Sequence, residues 1–114
     1  MSRGVQVLVV DQNNHRVQVF GLDGVFVRKW GSQGSGPGQF IWPSGVAVRG
    51  DEVLVADGSN HRVQVFRVDG TFVRAWGSLG AGDGEFDEPI DVAVTRAGQV
   101  LVADSMNGRV QVFE

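Results

Sequence analysis

Short runs of hydrophobic residues, separated by turn residues, recur along the chain. Val5 to Val10 is rich in Val and is followed by a polar turn, after which Arg16 to Phe20 alternates apolar and polar positions. An Asp-Gly turn then separates this segment from Val25 to Trp30. The pattern predicts three consecutive antiparallel strands in residues 1–30.

The same series of runs continues to the end of the chain. The further predicted strands are Gly45 to Val48, Val53 to Asp57, Arg62 to Phe66, Thr71 to Trp76, Asp91 to Thr95, Gln99 to Asp104 and Arg109 to Phe113. With the four strands of one repeat lettered a to d, the predicted order is bcd, abcd, abc. This order amounts to ten strands and no helix.

The series is an internal repeat. VLVADGSNHRVQVF, from Val53 to Phe66, has near copies from Val7 to Phe20 and from Val100 to Phe113. Self-similarity at a period of 46 or 47 residues is typical of solenoids and propellers. Strands a and b are nearly continuous Val, Leu and Ala, whereas strands c and d alternate with Gln, Arg and Lys. The gradient predicts an all-β protein of propeller blades, each a four-stranded antiparallel sheet with strands c and d further out.

The connection between strands d and a is long and rich in Gly, as GSQGSGPGQF and GSLGAGDGEF show. Phe40 and Pro43 at the end of the first connection recur as Phe86 and Pro89 in the second. Large apolar residues at fixed places predict a connection that is folded onto the blades. The sequence has neither the Gly-Lys-Ser/Thr ending nor the helix of a phosphate loop, so no cofactor is predicted.

Several motifs together resemble the NHL repeat. They are Asn14-His15-Arg16 and Asn60-His61-Arg62, each followed by VQVF, the WGSxGxGxGxF run and Phe-x-x-Pro; the third copy departs with Asn107-Gly108-Arg109. NHL repeats form β-propellers, commonly six-bladed. The family includes RNA-binding and protein-binding domains of tripartite-motif proteins, sensor domains of bacterial receptor kinases and a metal-dependent amidating lyase.

The resemblance implies a single propeller fragment over residues 1–114. Residues 1–30 form a partial blade, residues 31–76 a full blade with its leading loop, and residues 77–114 a second partial blade. Because two and a half repeats cannot bury their end faces, we expect a homo-oligomer that closes a six-bladed ring. A homodimer would leave four blades without one strand, and a homotrimer would complete every blade but leave surplus strands; both remain open.

The repeated polar residues have a structural and a functional interpretation. Asp11, Asp57 and Asp104 stand five residues before Arg16, Arg62 and Arg109, a spacing that favours structural turn residues paired across a hairpin over a ring of cation-binding carboxylates. His15 and His61 could ligate a metal, but Gly108 replaces them in the third copy, which favours a structural role. No metal site and no catalytic residue is predicted.

Ligand or oligomer contacts are expected where the repeats differ. Trp42 has Glu88 as its counterpart, and the acidic residues Asp83, Glu85, Asp87, Glu88 and Asp91 crowd the second d-to-a connection. These acidic residues would hold a cation or a basic peptide, or form a solvated acidic loop. Trp30 and Trp76 are interpreted as packing residues of the outer strands.

Composition narrows the function classes. A net charge of -3 disfavours nucleic acid, the absence of Cys excludes disulfides and thiolate metal sites, and no segment predicts a signal peptide or a membrane span. The localisation stays unknown. We expect a soluble, non-enzymatic scaffold or protein-interaction module that binds itself and a protein or peptide ligand. A truncated, evolved or designed fragment would have this sequence pattern; the alternatives are a metal-dependent lyase-like or hydrolase-like propeller and an RNA-binding NHL domain.

Overall fold

The computed structural model describes residues 6–114, which form ten β-strands and three short 3-10 turns. The strands are β1 (Gln6–Asp11), β2 (Arg16–Gly21), β3 (Phe26–Trp30), β4 (Pro43–Arg49), β5 (Glu52–Asp57), β6 (Arg62–Arg67), β7 (Phe72–Trp76), β8 (Pro89–Val94), β9 (Val100–Asp104) and β10 (Arg109–Phe113). The predicted start of the first strand, Val5, lies outside the described residues.

The strands form three antiparallel sheets, here called blades 1 to 3. Blade 1 has the order β1-β2-β3, blade 2 the order β4-β5-β6-β7, and blade 3 the order β8-β9-β10. The predicted fold class and the strand order bcd, abcd, abc are confirmed. In each blade a 3-10 turn joins strands b and c: Gln12–Asn14, Gly58–Asn60 and Ser105–Asn107.

Blade 2 is buried on both faces. Its strand β5 carries Val53 and Val55 towards blade 1 and Leu54 and Ala56 towards blade 3, and all four side chains are inaccessible to solvent. Side chains at alternate positions of a strand point to opposite faces, so one apolar strand serves two interfaces. The apolar core is therefore two clusters, one at each junction between neighbouring blades.

The order of the strands across blade 2 agrees with the prediction, but burial does not follow the apolar composition of strands a and c. Strand c of blade 2 is as buried as strand b, and even its Gln64 is fully covered. Strand a of the same blade is only partly covered, with Val48 48% exposed. The reason is position within the sheet: β6 has a strand on each side, β5 and β7, whereas β4 is an edge strand with only β5 beside it.

Residues 31–42 and 77–88, here called the leading loops of blades 2 and 3, are folded onto the blades as predicted. Phe40 and Phe86 are completely buried between blades. Gly31 has a φ of 114°, and a β-carbon there would lie 2.8 Å from the ring of Phe40. Only Gly allows the loop to pass this close to the aromatic ring.

Within residues 6–114, the structure has no helix with the length and apolar character that crossing a bilayer requires.

Candidate functional site

The most regular polar feature of each blade is a set of four side chains at the turn between strands b and c, here called the turn quartet. In blade 2 the carboxylate oxygen Oδ2 of Asp57 accepts hydrogen bonds from Asn60 at 3.0 Å, from Arg62 Nε at 2.8 Å and from Gln64 at 3.0 Å. The carboxylate is inaccessible to solvent. The single buried charge is therefore paired with Arg62 and fully hydrogen-bonded, as a buried carboxylate requires.

The outer atoms of this quartet hold the leading loop. Arg62 donates from Nη1 to the carbonyl oxygen of Ser35 and from Nη2 to those of Gly36 and Gln39, each at 2.9 Å. The other contacts are Asn60 to Gly34 O, Gln64 to Gln39 O, Gly38 N to Gln64, and Ile41 N to Asp57 Oδ1. The quartet thus recognises the backbone of a Gly-rich loop.

Blade 3 repeats the arrangement contact by contact. Its quartet is Asp104, Asn107, Arg109 and Gln111, and Arg109 donates to the carbonyl oxygens of Ala81, Gly82 and Glu85. The remaining contacts also recur: Asn107 donates to Gly80 O and Gln111 to Glu85 O, while Gln111 accepts from Gly84 N and Asp104 from Asp87 N. The same side chains therefore hold a leading loop twice in one chain.

The pKa values of Asp104 and Asp11 are set by these bonds. Burial of Asp104 raises the pKa of its carboxyl, but the bonds from the Asp87 amide, Asn107 and Arg109 outweigh burial and hold that pKa below its usual value. The bonds from Arg16 and Asn14 likewise lower the pKa of Asp11. Both carboxyls are therefore charged in the folded protein at neutral pH.

The two His residues connect neighbouring blades. His15 and His61 each follow a 3-10 turn in a left-handed conformation with a φ of 54°. Their Nδ1 atoms accept backbone bonds from Trp42 and Glu88, respectively, each at 3.1 Å. The imidazoles are thus engaged in bonds to the segment that leads into the next blade.

The positions expected to contact a ligand are brought together only in part: a β-carbon at Gly58 would lie 2.9 Å from the carbonyl oxygen of Trp42 and 3.6 Å from a carboxylate oxygen of Glu88. Trp42 is 46% exposed and packs edge-on against His15, with the ring centroids 5.5 Å apart. Glu88 accepts long hydrogen bonds of 3.5 Å from the Ser59 hydroxyl. Glu85 accepts a hydrogen bond of 2.9 Å from the Gly82 amide, and Asp91 accepts one of the same length from the Val92 amide. Asp87 lies beside His61, and Asp83 is exposed in the loop.

In the described part of the chain, no three His, Cys, Asp or Glu side chains gather into a metal-binding group. The acidic residues expected to hold a cation or a basic peptide are instead spread along the leading loop of blade 3 and the start of β8. Several bond to the backbone around them, as a solvated loop with local turns would.

The outer faces of blades 1 and 3 are apolar and open among residues 6–114. On blade 1, Val7 and Val9 are 40% and 41% exposed; on blade 3, Val110 and Val112 are 61% and 55% exposed. The residues at the equivalent places of blade 2 are Val53, Val55, Val63 and Val65, all of which are fully buried. The exposure of the end blades therefore comes from the lack of a neighbour and not from a change of sequence.

The Asn and Gln members of the quartets were not predicted from the sequence. Gln18, Gln64 and Gln111 stand seven residues after the quartet Asp, and Asn14, Asn60 and Asn107 stand three residues after it. That constant spacing is the signal that could have identified them. The alternation of Gln with Val was used only to place strand c further out in the blade, whereas Gln64 binds a loop backbone.

Family models match most of the chain. The NHL repeat matches residues 40–66 and 86–113, and a family described as a 6-bladed beta-propeller matches residues 4–49. No curated protein matches. The matched segments cover parts of all three blades.

Solved structures of bacterial proteins share the fold of this chain. A structural genomics protein of unknown function from Bacteroides thetaiotaomicron has a TM-score of 0.79 and 20% identity, over 94% of this chain and 32% of that one. An auxiliary nutrient binding protein of the same organism has a TM-score of 0.70 and 16% identity, over 96% of this chain and 35% of that one. The virginiamycin B lyase of Staphylococcus aureus has a TM-score of 0.63 and 13% identity, over 99% of this chain and 39% of that one.

The chain spans about a third of the length of these structures. At such low identity the likeness establishes the fold alone, and the activities of these proteins are not transferred. With matched repeats, ten strands in the predicted order and three stacked blades, the chain belongs to the NHL-repeat β-propellers.

Proposed function

We propose that this protein is a non-enzymatic interaction scaffold whose chains assemble head to tail into a closed propeller ring. The observation that carries the proposal is the match between its two open faces. The open face of blade 3 has the residues that blade 2 packs onto blade 3, and the open face of blade 1 has the residues that blade 2 packs onto blade 1.

The match can be followed strand by strand. Leu54, Val63 and Val65 of blade 2 pack against blade 3, and their counterparts on the open face of blade 3 are Leu101, Val110 and Val112. Val53 and Val55 of blade 2 pack against blade 1, and their counterparts on the open face of blade 1 are Val7 and Val9. Blade 3 of one copy therefore presents to blade 1 of another the interface that is already built twice inside the chain.

Such an interface is heterologous, so it produces a ring when the rotation between blades closes and a filament when it does not. Exposed apolar faces on a monomer favour association, because their burial removes Val and Leu side chains from water. Two chains joined through these faces make six blades, with the end blades three-stranded. A six-bladed ring of three chains would instead merge blade 3 of one chain with blade 1 of the next and would not use this interface.

A scaffold role is supported by the use of the polar side chains. The repeated Asp, Arg, Asn and Gln residues hold the leading loops, and the two His residues bond to backbone amides. These side chains therefore bond to the protein's own backbone. Catalysis would require side chains directed at a substrate, so these bonds support a structural role.

The proposal is tested by measuring the mass of the protein in solution at several concentrations, with native mass spectrometry and light scattering. We expect a defined species of two chains that dissociates on dilution, whereas a species of three chains would indicate merged end blades in place of stacked faces. A folded monomer at every concentration would overturn the proposal.

A pair of matched variants separates assembly from folding. Val110→Asp places a charge on the open face of blade 3, where the side chain is already 61% exposed, so we expect a folded chain that no longer assembles. Leu22→Asp is the control, because Leu22 is 72% exposed in the turn between β2 and β3, away from both open faces. An unchanged mass for Val110→Asp would contradict the interface.

A further inference from the structure

The turn quartet of blade 1 is built like the other two. Oδ2 of Asp11 accepts bonds from Asn14 at 3.1 Å, from Arg16 Nε at 2.8 Å and from Gln18 at 3.1 Å. The corresponding bonds in blade 2 are 3.0, 2.8 and 3.0 Å. The side chains that bind a leading loop in blades 2 and 3 are therefore already in position in blade 1.

No loop lies across this quartet among residues 6–114. Asp11 is 23% exposed, whereas Asp57 and Asp104, which are covered by their leading loops, are inaccessible. A shallow groove of about 400 Å³ lies at this place, lined by Val9, Val10, Asp11, Gln12, Asn13 and Gln18. Within the described residues the terminal nitrogens of Arg16 have none of the carbonyl contacts that Arg62 makes.

We propose that the blade 1 quartet is a docking site for a Gly-rich segment of another NHL-type chain, which binds across blade 1 as residues 31–49 lie across blade 2. This inference goes beyond the proposed function, because ring assembly depends on the apolar faces of blades 1 and 3, whereas recognition of the segment depends on the quartet. The two interactions share only the open face of blade 1, where the Phe of the segment would lie.

The structure specifies the chemistry of the partner segment. Arg62 needs three carbonyl oxygens within five residues, and Gln64 needs an amide between the last two of them. A Phe follows and would pack on the open face of blade 1, as Phe40 packs against Val53, Val55 and Phe66 of blade 2. Since these contacts are to backbone, the required sequence is a Gly-rich run that can fold closely, then Phe.

The segment would continue into an extended strand on the free edge of blade 1. In blade 2, strand β4 pairs with β5 along six residue pairs directly after the leading loop. The equivalent edge of β1 has no neighbouring strand in the described part of the chain. Addition of a strand to an open sheet edge is a common mode of peptide recognition, and here the quartet would set its register.

Preorganisation makes the site suited to binding in trans. The three bonds within the quartet hold Arg16 and Gln18 in the orientation that their counterparts have when the loop is bound. Binding therefore does not have to order these side chains.

The test uses the full chain and a fluorescein-labelled synthetic peptide that copies residues 31–49, titrated with fluorescence anisotropy. We expect saturable binding of one peptide per chain. Arg16→Gln should weaken binding at least about ten-fold, because it removes charged donors to the loop carbonyls. Arg96→Gln is the charge-matched control, because Arg96 is exposed in the turn between β8 and β9; it should bind as the unsubstituted chain does.

Further controls keep the result interpretable. Gln18→Ala provides a second site variant if Arg16→Gln melts at a lower temperature, and a peptide with Ser at the position of Phe40 should lose at least about ten-fold in affinity. Val110→Asp should bind the peptide normally even where it abolishes assembly, so failure of one proposal is distinguishable from failure of the other. Binding no tighter than that of a scrambled peptide, or binding unaffected by both Arg16→Gln and Gln18→Ala, would overturn the docking site.

Discussion

Nδ1 of His15 accepts a hydrogen bond from the backbone amide of Trp42, 3.1 Å away and 27 residues further along the chain. His61 and Glu88 repeat this bond with the same length and separation. Trp42 and Glu88 also share a left-handed conformation with a φ of 55°. The bond therefore depends on the backbone amide, and the side chain at this position is free to differ between repeats.

This relationship predicts an unusual ranking of substitutions at His61. Ala and Gly both remove the acceptor of the Glu88 amide, which costs about 1 to 3 kcal/mol. Gly in addition relieves the left-handed backbone, by about 1 kcal/mol. We therefore expect His61→Gly to be more stable than His61→Ala in urea unfolding.

Gly108 provides the matched control for that ranking. Gly108→Ala meets open space, so its only effect is the left-handed conformation at a φ of 62°, and we expect a loss of about 1 kcal/mol. Equal stabilities for the Ala and Gly variants at position 61 would contradict the interpretation of the turn.

The same substitution in two quartets should have unequal effects. Arg62→Gln removes three bonds to loop carbonyls and leaves Asp57 buried without its cation, so we expect a loss of about 3 kcal/mol. Arg16→Gln removes only a partly exposed pair that holds no loop, so a smaller loss is expected.

Urea unfolding of both Arg variants at one protein concentration measures this difference. Similar losses would mean that the leading loop contributes little to the stability of its blade.

The depressed pKa of Asp104 predicts a loss of stability in acid. The carboxyl has a lower pKa in the folded chain than its ordinary value of 3.8, so the stabilisation is fully present above that value. It declines as the pH falls from about 3.8 through the lower pKa of the folded state, because the unfolded chain then takes up more protons.

Thermal unfolding between about pH 2.5 and pH 7 follows this decline. Asp104→Asn should lower stability at neutral pH and flatten the acid dependence. Asp83→Asn is the control at an exposed position of the same loop, and an equal flattening there would assign the effect to net charge.

Phe40 should be the most sensitive residue of its leading loop. Phe40→Ala leaves a cavity at the junction of blades 1 and 2, and a loss of about 3 to 5 kcal/mol is expected. Phe26→Ala, at a position 50% exposed on β3, should cost much less. Calorimetry compares the two, and a small loss for Phe40→Ala would show that the loop is not part of the core.

A charge inside blade 2 should prevent folding. Val55 is fully buried between blades 1 and 2, so Val55→Asp would place an unpaired carboxylate among apolar side chains. Asp83→Ser, in contrast, should leave the fold intact. Circular dichroism distinguishes these outcomes, and a native spectrum with an unchanged melting temperature for Val55→Asp would contradict the stacking of the blades.

The repeat made the fold predictable from the sequence. Three copies of the same hydrophobic runs predicted the strands and their order, since each run of Val residues reports its own strand. Strand a was predicted to begin at Gly45 but begins at Pro43, after which a bulge shifts the register. Pro lacks an amide hydrogen, so it is usually assigned to the turn, although the first position of a strand tolerates it.

The turn quartets were harder to predict from the sequence, because their side chains bind backbone atoms. Carbonyl oxygens of Ser35, Gly36 and Gln39 leave no trace in residue type beyond the Gly that permits the loop shape. Burial of Gln64 likewise depends on a loop 25 residues away, which no local pattern reports. Only the spacing of the polar residues across the three copies carries this information.

The hydrogen bonds between each quartet and its leading loop also determine the order in which parts of the molecule unfold. A blade cannot release its own turn without freeing the loop that connects it to the preceding blade, so neighbouring blades must open together. Blade 2 is restrained from both sides, while β1 and β10 each lie at the open edge of an end blade. Amide hydrogens should therefore exchange slowest in β5 and β6 and fastest along the outer edges of β1 and β10, so that the chain frays from its ends towards its middle.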